Sequence, residues 1–499
     1  MRHSFRNLVC GLLLAGAVHQ ANAFSLLGAV DTWQTPEVGY QLPQLLNGQD
    51  LGGPMNLGEE YRSNVPGLTY GFDESFLNYF GTKGVEEVEK AIKLLNDLPP
   101  VSELSADLSE YPMDTRRINH RASALFLYDI KSFVLSALVE QFGLANPERY
   151  TWTLRSRTVI NNIPFYSTIK RNFDPVTWEP SSYVNGSLYT YLILQTYSTP
   201  TWEAVEFEID PSLPNVSSVA GYLDESGTVF ASGWYVNYNA GLFFTGLTRD
   251  DVGGLRYLYR PENINMETLT TNAVLAPLGG GGTGVIGSDS TGGSPWGAPT
   301  SGVTTTTNAT TTTTVTNAPV DPVLRRGIDK LRLFRVDFDS MVGSWKTLTY
   351  RYQDSYITNN STRSQLVQRT LNGPDILFGA GDLGVTPDSI PWRIARTINF
   401  VNNDAINGSI TLPGPGTLTP GTVITLSKVG PFLANTPEGG EVDGQKFWAW
   451  GSYDGTTNAP VVYPVGTSIK ALEALIMSGG VRDGVSGGVG TGGSPWQSP

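Results

Sequence analysis

The spacing of apolar residues changes once along the first half of this chain, and the change limits the fold that this half can adopt. Apolar side chains recur at helical spacing in Gly84–Asp97 and again in Asp129–Ala145. From Tyr150 to Phe244 they instead alternate with polar residues, which is the period of strands. We therefore predict an α+β N-terminal domain at residues 24–275 that carries a large β-rich insertion at residues 147–247.

Residues 276–322 separate this half from a second, mainly β half. The segment is poor in large apolar residues, opens with a run of glycines and continues through two threonine tracts. Such a composition cannot bury enough surface to offset the entropy lost on ordering, so we predict a flexible linker. Strand and turn patterns dominate residues 323–478, which end in a helical pattern at Ser468–Met477. We predict a β-rich, sandwich-like C-terminal module there, followed by a Gly-rich tail at residues 479–499.

A short repeat accompanies the two Gly-rich segments. The sequence TGGSPW at Thr291–Trp296 recurs at Thr491–Trp496. The repeat is consistent with a docking tag at the end of each half, but duplicated linker material is the favoured interpretation.

The first 23 residues have the pattern of a secretory signal peptide. Arg2 and Arg6 form a basic start, Leu8–Val18 is an apolar run, and Ala21-Asn22-Ala23 is a small-residue cleavage site before Phe24. We expect the mature chain to be secreted, either extracellular or at the cell surface. No later segment reaches the roughly 18 consecutive apolar residues of a membrane span, so none is predicted.

The composition excludes several kinds of chemistry. The only cysteine, Cys10, lies in the signal peptide, so the mature chain is expected to have no disulfide, thiol nucleophile or thiolate metal site. Without Arg2 and Arg6, the chain has 31 basic and 46 acidic residues. This excess of negative charge disfavours nucleic acid as a partner.

The segment Tyr128–Pro147, YDIKSFVLSALVEQFGLANP, bears most directly on function. In the matrixin-like metzincin peptidases, the active-site helix has the pattern D-x-x-S-x-x-x-H-E-x-x-H-x-x-G-x-x-H, in which the His residues bind zinc and the Glu activates the bound water. This segment resembles that helix, because Asp129, Ser132 and Gly143 stand at its other fixed positions. The zinc-ligand and general-base positions are occupied instead by Ser136, Ala137, Glu140 and Asn146.

Two further segments carry the same resemblance. Leu68–Asp97 resembles the opening strand and first helix of that family, and Leu247–Arg260, LTRDDVGGLRYLYR, resembles its closing helix. The resemblance implies a zincin-like fold for the N-terminal half with a degenerate zinc site and no catalytic residue. The departures agree with lost activity, because the mature chain has a single His, His120, and no Met between Met113 and Met266, where the family's methionine turn would lie.

Three alternatives stay open at this level. A hydrolase or peptidase would use either a metal ion held by Glu140 and neighbouring oxygens or paired carboxylates in the β half. Asp337 and Asp339 alternate on one predicted strand and suit a calcium site. The 33 Trp and Tyr residues suit carbohydrate binding through the C-terminal module. His120 would be the base of any Ser-His-Asp triad, but its basic neighbours favour a surface or helix-capping position.

We predict a secreted, non-catalytic surface, matrix or binding protein built on a degenerate metallopeptidase-like scaffold. Its partner is expected to be an extracellular peptide, protein or glycan. The substituted positions Ser136, Ala137, Glu140 and Asn146 are expected to line a binding cleft without performing chemistry. No cofactor is predicted, with calcium as the one candidate.

Overall fold

A computed structural model describes the chain over residues 23–29, 51–52, 55–148, 150–196, 203–209, 218–222, 240–276, 285–289, 318–338, 345–380, 392–400, 415–426 and 449–477. Over these ranges the fold is mixed α/β, with more strand than helix. The helices are α1 (Glu74–Asn96), α2 (His120–Ala124), α3 (Ile130–Gln141), α4 (Arg249–Tyr259) and α5 (Ile469–Met477), with one 3₁₀ turn at Val101–Glu103. No helix in the described ranges has the length and apolar character needed to cross a membrane.

The first-half strands are β1 (Ser25–Leu26), β2 (Gly28–Ala29), β3 (Leu51–Gly52), β4 (Tyr61–Arg62), β5 (Gly67–Phe72), β6 (Arg116–Ile118), β7 (Leu127–Asp129), β8 (Leu144–Ala145), β9 (Thr153–Ile160), β10 (Ile163–Ile169), β11 (Tyr183–Val184), β12 (Ser187–Leu188), β13 (Thr190–Thr196), β14 (Glu203–Ile209), β15 (Leu242–Phe244), β16 (Ile264–Glu267) and β17 (Ala273–Leu275). The later strands are β18 (Val285–Asp289), β19 (Val323–Arg326), β20 (Arg332–Arg335), β21 (Leu348–Thr358), β22 (Ser361–Leu371), β23 (Ile376–Gly379), β24 (Trp392–Phe400), β25 (Gly416–Leu426), β26 (Ala449–Ser452) and β27 (Val461–Val462).

The helices begin where local capping signals place them. Helix α4 starts after Thr248, which forms a capping box with Asp251, as the sequence predicts. Helix α1 starts at Glu74, ten residues before the predicted start at Gly84. The Asp73 side chain provides the N-cap there, because it accepts a hydrogen bond from the Phe76 N–H at 2.8 Å. The helical spacing also continues across Gly81, a kink with φ of 59°.

One sheet contains strands from both halves of the chain. Its order is β20-β5-β23-β25-β24, and β4 pairs with β25. Strand β5 lies between two strands from the C-terminal half and is parallel to both, with Leu68 opposite Leu333 and Phe72 opposite Phe378. The segments on either side of residues 276–322 are therefore joined by backbone hydrogen bonds.

A second sheet mixes the halves in the same way. Its order is β16-β19-β21-β22-β17, and β18 pairs in parallel with β21. Strand β18 lies inside residues 276–322, where we expected a flexible linker. Strands from both sides of this segment therefore share two sheets, a pairing that apolar periodicity does not predict. The two TGGSPW copies and the tail at 479–499 lie outside the described residues.

The core continues across these sheets onto helices α1 and α3. Trp450 on β26 is fully buried, and its ring lies 5.0 Å from that of Phe133 on α3 and 6.4 Å from that of Phe80 on α1. Strand β26 also pairs in parallel with β7, which leads into α3. Helix α3 is thus fixed by a strand from the far end of the chain.

Buried arginines connect the two sheets. Arg62 at the end of β4 is fully buried, and its Nε lies 2.7 Å from a carboxylate oxygen of Glu267 on β16. Its Nη1 donates to the carbonyls of Leu258 and Asn263 at 2.9 and 2.8 Å, and its Nη2 donates to that of Arg325 at 3.3 Å. Two similar ion pairs are also buried. Arg325 pairs with Asp354 within the second sheet, and Arg369 of the same sheet pairs with Asp375, which directly precedes β23.

We predict that Arg62→Ala lowers the free energy of unfolding by about 3–5 kcal/mol, because it leaves the Glu267 carboxylate buried without its cation. The matched control is Lys83→Ala, which removes an exposed pair with Glu86 at 2.8 Å and should cost less than about 1 kcal/mol. Urea unfolding measures both. Equal losses for the two variants would contradict the assignment of Arg62 to the core.

Candidate functional site

The Asp and Ser that match the peptidase pattern form the N-terminal cap of α3. The Asp129 carboxylate accepts hydrogen bonds from the Ser132 N–H at 2.9 Å and the Ser132 hydroxyl at 2.6 Å. The Ser132 oxygen in turn accepts from the Phe244 N–H at 2.8 Å, which ties β15 to the helix. This part of the pattern therefore has a structural role that needs no metal.

The substituted zinc positions do not line a cleft. Ser136 and Ala137 have 0% of their surface exposed, and Ala137 belongs to the main hydrophobic core. Glu140 is partly buried, and Asn146 is buried and accepts a hydrogen bond from the Glu148 N–H at 2.9 Å. Burial thus leaves little side-chain surface for a ligand at Ser136, Ala137 and Asn146, whereas Glu140 keeps part of its surface exposed.

The remaining predicted residues lie apart from one another. Asp337 is exposed and follows the end of β20, while Asp339 lies outside the described residues. Among the residues that the structure describes, no group of three or more His, Cys, Asp or Glu side chains is placed to hold a metal ion. His120 is exposed as the first residue of α2, next to the Asn119 cap.

Sequence reasoning missed a buried carboxylate cluster, formed by Glu148, Asp250 and Asp251. All three side chains are at most 8% exposed. The Glu148 carboxylate accepts from the Ser218 N–H and hydroxyl, each at 2.7 Å. Asp251 accepts from the N–H groups of Val219 and Ala220 at 3.2 and 3.1 Å. The carboxylate cluster thus holds residues 218–222 against the start of α4.

Burial dominates the electrostatics of the carboxylate cluster. It raises the pKa of Asp250 well above its ordinary value, and the negative charges of Asp251 and Glu148 raise that pKa further. Backbone N–H groups of Ala23 and Asn185 act in the opposite direction. Burial also raises the pKa of Asp251, although the Thr248 hydroxyl and N–H donate to its carboxylate. Hydrogen-bond donors from the backbone and from hydroxyl groups therefore help to stabilise the buried carboxylates of the cluster.

Asp129 is a second buried acid, separate from the cluster. Burial raises its pKa to about 6, which Lys131 and the hydrogen bonds from Ser132 partly oppose. One oxygen, Oδ1, accepts no hydrogen bond from the described residues. The Tyr222 and Tyr453 hydroxyls lie in the same region, where Tyr453 donates to the Leu127 carbonyl at 2.9 Å.

The exposed apolar surface includes a hairpin made by β9 and β10. Asn161 and Asn162 form its turn, both with positive φ, as in the type I′ turns that favour Asn. On one face, Ile160 lies opposite Ile163, and Phe165 follows two residues later. These three side chains, which we call the hairpin tip, are 53, 58 and 53% exposed. An Asn-Asn pair flanked by isoleucines was the sequence signal for this feature.

Comparison with known proteins adds no family to these observations. No family model matches the chain, and no curated protein or solved structure matches it either.

We predict that Ser136→His destabilises the fold by about 1–3 kcal/mol, since an imidazole has no space at a fully covered position of α3. Glu140→His, at a partly buried position on the same helix, should cost less and serves as the control. The triple variant Ser136→His, Glu140→His, Asn146→His should bind no zinc after dialysis. One tightly held zinc per chain with unchanged stability would contradict the burial of this helix.

We also predict that Asp129→Asn raises the free energy of unfolding by an amount that depends on pH. The folded chain keeps the Asp129 carboxyl protonated up to about pH 6, whereas the unfolded chain releases that proton near its ordinary value of 3.8. This group therefore makes the fold less stable as the pH rises from about 4 to 6. Asparagine can still cap α3 but does not ionise. The increase in the free energy of unfolding should therefore reach up to about 3 kcal/mol at neutral pH and nearly vanish at about pH 4. An equal gain at both pH values would contradict the burial of this charge.

Proposed function

We propose that this chain is a secreted, non-catalytic surface or matrix protein that binds an extracellular protein or peptide through the hairpin tip. The export signal at residues 1–23 supports the location, and the exposed apolar side chains of the tip carry the proposal.

The surroundings of α3 support a non-catalytic role. In the peptidase pattern, the ligand and general-base side chains must reach a substrate cleft. Here Ser136 and Ala137 are enclosed by the core, and the matching Asp129 and Ser132 side chains are engaged in capping the helix. The resemblance to the metzincins is therefore best explained as a scaffold that has been kept for its packing.

The hairpin supports a binding role. On its outer face, the side chains at 156, 158, 160, 163, 165 and 167 are all exposed. The opposite face is partly covered, so the hairpin is anchored to the body while its tip projects. Leaving Ile160, Ile163 and Phe165 together in water is unfavourable, and clustered exposed apolar side chains commonly mark interaction surfaces.

The chemistry of the tip favours a protein or peptide over a glycan. Two of its three side chains are aliphatic, whereas sugar recognition relies on aromatic faces and dense hydrogen bonding. The β9–β10 pair is a two-stranded sheet, so each strand has an edge without a strand partner among the described residues. Such an edge can add an extended segment of a partner by backbone pairing.

The test is retention of fluorescently labelled mature protein on washed cells of the producing organism and their matrix. The triple variant Ile160→Ser, Ile163→Ser, Phe165→Ser should lose at least about tenfold in affinity, as expected for apolar side chains central to an interface. The control is Met477→Ser, an apolar side chain 88% exposed at the end of α5, which should bind like the unmodified protein.

Equal retention of the triple variant would refute the hairpin tip as the binding surface. The non-catalytic role would be refuted if the unmodified protein turned over a peptide substrate and Glu140→Gln abolished that turnover.

A further inference from the structure

The outer face of the β9–β10 hairpin contains no ionisable side chain. Its six positions are occupied by three hydroxyl residues and the three residues of the hairpin tip, namely Ser156, Thr158, Ile160, Ile163, Phe165 and Ser167. All six are exposed. The chain as a whole is acidic, so most contacts between two copies bring like charges together. Two identical outer faces avoid that repulsion.

The opposite face of the hairpin is not suited to pairing with itself. Arg157 and Val159 alternate with the outer-face residues along β9, so their side chains belong to this opposite face. Val159 is 49% exposed there, close to the turn. Two copies of this face would bring their arginines together at short range, which is unfavourable. Charge therefore distinguishes the two faces.

The edges of the hairpin also oppose pairing with a second copy. Ile160 and Ile163 flank the two-residue turn and form the hydrogen-bonded pair, so the next pair, Val159 and Pro164, directs its backbone groups outward. Proline has no N–H to donate, which interrupts the edge of β10. Two β9 edges would instead place the Arg157 side chains of both copies close together. The outer face is therefore the surface best suited to a second copy.

The base of the hairpin is fixed to the body of the protein. Trp152, just before β9, donates from Nε1 to the Tyr189 carbonyl at 3.2 Å. Lys170, just after β10, has its Nζ 4.6 Å from the centre of the Trp152 ring. Both contacts lie at the far end of the hairpin from the turn. The outer face is thus held in one direction, and a pre-organised surface loses little freedom on association.

We propose that the partner of the hairpin tip is a second copy of this chain, and that the outer faces of two hairpins pack together about a twofold axis. The two hairpins run in opposite directions, so the two bodies lie on opposite sides of the interface. Each tip then covers the other and removes Ile160, Ile163 and Phe165 of both copies from water. This inference rests on the proposed function, because it names the partner of the same surface.

The size of the outer face predicts a weak dimer. The 8 residues of β9, at about 3.4 Å each, and two strands about 4.8 Å apart give an area of about 250 Å² per copy. Stable interfaces bury about 800 Å² per partner. The dimer should therefore be populated where copies are concentrated, as on a cell surface or in a matrix.

The absence of cysteine after the signal peptide makes this face directly testable. Ile163→Cys puts one thiol on the outer face, whereas Val159→Cys puts one at a similarly exposed position on the opposite face. The thiol crosslinker should span the spacing of about 10 Å between packed sheets. Ile163→Cys should form covalent dimers at least about tenfold faster than Val159→Cys, because pairing raises the effective concentration of its thiols. Equal rates for the two variants would overturn the proposal.

Retention on cells separates this inference from the proposed function. Labelled mature protein is added to washed cells that make this chain and to cells of the same organism in which its gene is deleted. Retention should be at least about tenfold lower on the deleted cells, since they lack the second copy.

Equal retention on both kinds of cell, still lost in the variant Ile160→Ser, Ile163→Ser, Phe165→Ser, would overturn the second copy as partner. The hairpin tip would then remain the binding surface for another protein. Full retention of that triple variant on both kinds of cell would overturn this inference and the proposed function together.

Discussion

The buried ion pair between Arg62 and Glu267 is the interaction on which the rest of this fold depends. Arg62 ends β4, which pairs with β25 in one sheet, and Glu267 ends β16, which pairs with β19 in the other. The same guanidinium also holds the carbonyl of Leu258 at the end of α4. Because a charge this deep is stable only when its partners are in place, the sheets and the helix must assemble together. The halves on either side of residues 276–322 consequently form one structure.

That shared assembly also determines the surroundings of α3, the helix whose sequence resembles the peptidase pattern. Trp450 on β26 packs against Phe133 on α3, so one side of α3 faces a strand from the far end of the sequence. Ser136 and Ala137 are small enough to allow this close packing, whereas the His and Glu of the peptidase pattern are larger and polar. The small side chains at these two positions and the burial of the helix are therefore mutually consistent.

Local signals in the sequence predicted local structure well. The Thr248–Asp251 capping box marks the start of α4, and the alternation within Tyr150–Phe244 predicted strands in the region of β9 and β10, although not their bounds. Long-range partners were not predictable, because Thr69 and Asp375, whose hydrogen bond fixes β5 beside β23, are 306 residues apart. The carboxylate cluster was missed for a related reason. Acidic residues such as Asp250 are normally solvated, and only the folded chain brings backbone donors to them.

Helix α3 is an interior element of the fold, and native-state hydrogen exchange tests this directly. If the helix is enclosed by the assembled sheets, the amides of residues 134–141 should exchange only through global unfolding, with the same protection as those of β5. Their exchange should accelerate together with that of β5 as urea is added. Rapid exchange of α3 under native conditions, while β5 stays protected, would contradict this placement and would indicate a solvent-accessible helix.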